Sequence, residues 1–129
     1  MALAFDRQIE AFAKKANISI DRAIRGTSIK LFSAIILASP VDTGRFRANW
    51  QASNERPASG EVNGFADPVN KVTTYINGAP FANEFTLANN LPYAYKLEFG
   101  YSDQAPQGMV RINVARFQRI LDEQARINR

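Results

Sequence analysis

A chain of 129 residues with 46% hydrophobic and 22% charged residues has the size and balance of one globular domain, and its composition excludes extended disorder. It contains neither cysteine nor histidine, which removes disulfides, thiolate and imidazole metal ligands, and the usual general base of nucleophilic triads. The net charge of +4 is unevenly spread, with six basic and three acidic groups in residues 1–39, five and seven in 40–106, and five and two in 107–129, so basic ends flank an acidic middle.

The first element expected is a long amphipathic helix from Leu3 to Ser39. Ile9, Ala13, Ala16, Ile20, Ala23, Ile24, Thr27, Leu31, Ile35 and Ala38 recur every three or four positions, the period of one helical face. Ile29, Phe32 and Ile36 widen the apolar surface in the second half, which predicts burial on more than one side there. A straight helix of this length would extend roughly 55 Å at about 1.5 Å per residue, far beyond the roughly 14 Å radius of gyration of a domain this size. Asn17 and Gly26 are the weak points, and a break near Asn17 is expected, leaving the first segment free to pack against another subunit. The start of the chain shows no basic segment followed by an apolar run of about 7–15 residues, so no signal peptide is expected. The run from Ile29 to Ala38 is too short to span a bilayer.

Pro40 should stop this helix, with turn chemistry at Asp42-Thr43-Gly44. A half-buried strand is predicted over Phe46–Ala52, with Phe46, Ala48, Trp50 and Ala52 on one face and Arg47, Asn49 and Gln51 on the other. Residues 53–68, rich in Gly, Pro, Ser, Asn and Glu, read as an exposed flexible loop. Pro68 would open a short helix through Val69, Val72, Tyr75 and Ile76, ended by Asn77-Gly78, although residues 72–76 also have strand composition. A second alternating run covers Phe81–Asn89. A short helix is expected from Tyr93 to Gly100, then a loop to Gly108, then a final helix over Met109–Asn128 with Val110, Val114, Phe117, Ile120, Leu121 and Ala125 as its stripe. The fold class expected is therefore α+β: two flanking helices packed on a small, mainly antiparallel sheet in a single domain.

Asp42-Thr43-Gly44 matches the triplet of aspartic proteases, whose two aspartates share a proton across a two-fold axis. Its surroundings oppose that chemistry, because Ser39-Pro40-Val41 precedes it, Arg45 follows, and a long helix leads in. An arginine beside such a dyad would depress a carboxyl pKa and oppose proton sharing. A helix-to-strand turn with Asp42 as a local cap is the better account. Glu98, set among aromatics, reads as a surface or interface charge with no partner visible in sequence. Tyr93, Tyr95, Phe99 and Tyr101 lack the basic interleaving of a base-stacking platform beyond Lys96, and core or interface packing accounts for them. The longest basic run is Lys14-Lys15, which keeps a small nucleic-acid-binding module as the alternative reading rather than the first. No catalytic residue, cofactor or metal is expected.

Three segments together resemble a known family. They are Ser39-Pro40-Val41-Asp42-Thr43-Gly44-Arg45-Phe46-Arg47-Ala48-Asn49-Trp50, then Leu91-Pro92-Tyr93-Ala94-Tyr95-Lys96-Leu97-Glu98-Phe99-Gly100-Tyr101-Ser102, then Gln104-Ala105-Pro106-Gln107-Gly108-Met109-Val110. Their pattern and order, across roughly residues 20–120, is similar to the minor tail protein Z-type family of neck and tail-completion proteins in lambda-like siphophages. The resemblance implies a non-enzymatic virion subunit, made in the host cytoplasm and forming a ring at the head-tail junction. Its implied partners are other copies of the chain, the connector, and tail-terminator or tail-tube proteins, with weak non-specific contact to DNA in the lumen and no membrane. The residues it would commit to interfaces are Trp50, Tyr93, Tyr95, Glu98, Tyr101, Gln104, Pro106 and Met109.

Overall fold

The computed structural model describes residues 11, 13–14, 19–41, 44–54, 56–63, 67–80, 85–99 and 108–127, the last eight by backbone only. The long helix, α1 (Ile20–Ala38), opens where a side chain can satisfy its first amides: the Ser19 hydroxyl accepts from the Arg22 N–H at 3.1 Å. Asp21 in its first turn pairs with Arg25 one turn on, at 3.0 Å. The start at Ile20 lies three residues past the expected break at Asn17, which is itself outside the described residues. Of the preceding segment, Ala13 is buried and Lys14 exposed. At the far end Ser39 turns extended, with ψ 150°, as the residue before a proline must.

The predicted strand over Phe46–Ala52 is corrected in its first half. Gly44 sits in the left-handed region at φ 74° and α2 (Arg45–Ala48) follows it as a single helical turn, closed by the Ala48 N–H donating to the Gly44 carbonyl at 3.0 Å. Asn49 ends the turn with its side-chain amide donating to the Arg45 carbonyl at 2.8 Å. Phe46, Ala48 and Trp50 are all buried, as alternation predicted, but helical geometry delivers the first two. Strand β1 (Trp50–Asn54) pairs antiparallel with β2 (Phe85–Asn89) in register Trp50↔Asn89 to Asn54↔Phe85. These two strands form the sheet described, so the fold is α+β with a smaller sheet than the two alternating runs suggested. Phe81, Asn83 and the remainder of the second run before Phe85 lie outside the described residues.

Between the strands runs α3 (Pro68–Gly78), begun by Asp67, whose carboxylate accepts from the Asn70 N–H at 3.2 Å, with Pro68 in the first turn. Of the two compositions open at residues 72–76, helix is the one adopted, and it presents Val72 and Ile76 to the core. After β2 come α4 (Ala94–Glu98) and α5 (Val110–Ile127). The core is built where α1 crosses α3: Leu31, Phe32, Ile35 and Ile36 meet Val72 and Ile76, and Phe46, Trp50, Leu91 and Met109 close the sides. Both apolar faces of the second half of α1 are therefore used. Val114 and Phe117 of α5 pack against the same cluster.

Several described backbone groups of the loop after β1 bond to side chains outside it. Asn49, fully buried, donates from Nδ2 to the Val62 carbonyl at 3.2 Å and accepts the Val62 N–H on Oδ1 at 2.7 Å, pairing with the chain as a neighbouring strand would. Gln51 and Asn90 both donate to the Gly60 carbonyl at 3.0 Å. Asn49→Ala is expected to cost about 1–3 kcal/mol, the range for a buried polar group left without its partner. Hydrogen exchange at the Val62 amide checks this, since its protection should fall while that of Ile36 and Ile76 follows global stability alone.

Candidate functional site

Two surface regions emerge from this framework, each built by a segment that carries the family resemblance. The first is the corner where α1 gives way to α2. Arg47 reaches back to the end of α1, donating from Nε to the Ser39 carbonyl at 2.9 Å and from the guanidinium to the Leu37 carbonyl at 2.7 Å. A cation on the last carbonyls of a helix satisfies orphan acceptors and complements the dipole. The Ser39 hydroxyl donates to the Ile35 carbonyl at 2.8 Å and accepts the Trp50 indole N–H at 2.9 Å. Trp50 in turn meets Phe46 edge-on, with ring centres 5.7 Å apart. Serine, arginine and tryptophan thus fasten helix, turn and strand together around Pro40. Asp42 and Thr43 of the triplet lie outside the described residues.

Outside this clasp the surface is apolar. Leu37 is 60% and Val41 50% exposed, and they border an open groove of about 270 Å³ whose floor and walls include Ile36, Pro68 and Val69. Arg47 and Asp67 supply its polar edge. The Arg47 guanidinium is turned inward onto α1, whereas Asp67 lies exposed at the N-terminus of α3.

The second region is the junction between α4 and α5, and here Glu98 is corrected from a surface charge to a buried one, 6% exposed. Its carboxylate caps α5 from a different element. Oε1 accepts the Met109 and Val110 N–H groups at 2.9 and 2.8 Å, and Oε2 accepts the Arg111 N–H and Nε, each at 2.9 Å. Four donors on one carboxylate satisfy the helix start that P-loop-like anions satisfy elsewhere, with the helix dipole favouring the charge. Burial pushes the Glu98 carboxyl up, but the backbone donors of Val110, Arg111 and Met109 and the Arg111 guanidinium outweigh it and hold the group below the usual carboxylate range. Gly108, at φ 80°, lets the backbone approach: a Cβ there would lie 2.7 Å from Glu98 Oε2. On the outer face Tyr95 is 74% and Phe99 44% exposed, their ring centres 4.4 Å apart. The Arg111 guanidinium stands 4.5 Å above the Phe99 ring.

Of the residues assigned to interfaces from sequence, Trp50, Glu98 and Met109 are buried in the chain itself, where they tie elements together. Tyr93 and Tyr95 reach the surface, Tyr93 with its ring 6.0 Å from Phe46. Tyr101, Gln104 and Pro106 lie outside the described residues. Sequence reasoning passed over Ser39, Arg47, Arg111 and Gly108. Arg111 carried a readable signal, because a basic residue in the first turn of a helix opposes the dipole and asks for a nearby acid.

The four acidic side chains described are all committed: Asp21, Glu61 and Glu98 to arginines and Asp67 to a helix cap. Lys71, its pKa lowered by burial, donates to the Ala48 carbonyl at 3.0 Å. Among the described residues no group of three or more Asp, Glu, His or Cys is placed to hold a metal ion, and no helix is long and apolar enough to cross a membrane. Comparison with family profiles, with curated proteins and with solved structures gave no match.

Proposed function

We propose that this chain is a structural subunit of a tailed-phage particle, acting through protein-protein contacts in the head-tail neck or tail-completion ring. The observation that carries the reading is the division of labour within the resembling segments. Their polar residues Ser39, Arg47, Trp50 and Glu98 are spent on fastening elements together, while their apolar residues Val41, Tyr95 and Phe99, with the adjoining Leu37, face outward. Rigid corners that display aliphatic and aromatic side chains suit a building block completed by other chains. The phage assignment itself rests on the order and pattern of those segments.

Sizing with light scattering and negative-stain microscopy of the purified chain, alone and with phage connector and tail-terminator proteins, tests this. The expected result is self-association into rings or a stable complex with one of those proteins. A chain that stays monomeric and ignores both would overturn the reading. Contact with DNA in the lumen would be weak and salt-sensitive, through exposed arginines such as Arg116 and Arg119 on α5.

A further inference from the structure

The two outward apolar features differ in shape and in charge. Tyr95 and Phe99 form a convex aromatic pair stiffened by the Arg111 stack, with Lys96 exposed beside them. The groove bordered by Leu37 and Val41 is concave, has room for a phenol ring, and carries an exposed carboxylate, Asp67, on its edge. We propose that the aromatic pair of one copy seats in the α1–α3 groove of the next, a head-to-tail contact between identical chains. This inference rests on the structural-subunit reading and names the surfaces that reading would use.

Shape, charge and composition favour a second copy over an unrelated partner. One chain carries both an exposed aromatic pair and an open apolar groove. Charge is matched too, since Lys96 flanks the ridge and Asp67 edges the groove, and such pairing sets register more than affinity. The composition is that of an interface centre, where tyrosine and arginine are enriched and aromatic anchors enter apolar pockets. The ridge is also preorganised: Arg111 is fixed by Glu98 and fixes Phe99, so little side-chain freedom remains to be lost on docking. Because ridge and groove are different surfaces, the contact is heterologous. Repetition closes into a ring or continues as a helix according to the rotation at each step.

Two variants test it, Tyr95→Asp on the ridge and Leu37→Asp on the groove, both at exposed positions, with circular dichroism confirming the fold of each. Each variant alone should lose self-association at least tenfold relative to the unmodified chain. Mixed, they should form a 1:1 heterodimer and stop there, because the intact groove of the Tyr95→Asp copy meets the intact ridge of the Leu37→Asp copy only once. Variants that still assemble like the unmodified chain, or a mixture that stays monomeric, overturn the head-to-tail contact while leaving the subunit reading in place. So does an unmodified chain that is monomeric alone yet binds the connector. If it also ignores the connector and terminator, both proposals fall.

Discussion

Glu98→Gln is expected to destabilise the chain by about 2–3 kcal/mol, the range for charge-assisted hydrogen bonds lost at a buried site. The substitution keeps the volume but removes the charge, and it sets an amide NH₂ against backbone N–H groups that need an acceptor. The helix start at Met109, Val110 and Arg111 then has at most one oxygen to share. The same contact sets a pH dependence whose sign follows from the direction of the shift. The folded carboxyl ionises below its unfolded value, so its contribution is complete above about pH 4.3, where an unfolded glutamate titrates. It is lost as pH falls through the lower folded value. Urea titrations between pH 7 and pH 3 should therefore show the unmodified chain losing stability on acidification faster than Glu98→Gln, with the two curves converging. Parallel curves would mean that Glu98 is not an ionised cap.

Gly108→Ala should be at least as damaging, roughly 2–5 kcal/mol, since two costs combine. An L side chain at φ 80° is strained, and the new methyl would enter the space of the Glu98 carboxylate and backbone. The residues it displaces are the cap itself, so the effects of Gly108→Ala and Glu98→Gln should be strongly sub-additive in the double variant. Thermal unfolding of the four chains measures this coupling. Full additivity would show that Gly108 acts elsewhere.

Features settled by neighbours in sequence were legible in advance. Pro40 ends α1, and Pro68 begins α3. The doubled apolar face of Leu31 to Ile36 is buried on both sides. What was misread depends on groups distant in sequence. Alternation at Phe46–Ala52 predicted the burial of Phe46, Ala48 and Trp50 but set the fully buried Asn49 on the polar face, because Gly44 and the Asn49 side chain stabilise a helical turn that a two-residue period does not reveal. The anchors at Gly60 and Val62 were not visible in the composition of the segment after β1, because Asn49, Gln51 and Asn90 supply them from outside it. Glu98 appeared to lack a partner because its donors begin eleven residues later, beyond the reach of helical spacing. The exposed ridge and groove were legible only in part: Tyr95 and Tyr93 were singled out, whereas Leu37 and Val41 look like ordinary helix and corner residues until the surface is seen.

The chain contains a single tryptophan, and its indole hydrogen bond to Ser39 places it at the meeting of helix, turn and strand. Intrinsic fluorescence excited at the indole band therefore reads one location. A red shift in emission reports water reaching that corner, and an unshifted spectrum during loss of α5 would reveal the order in which the parts come undone.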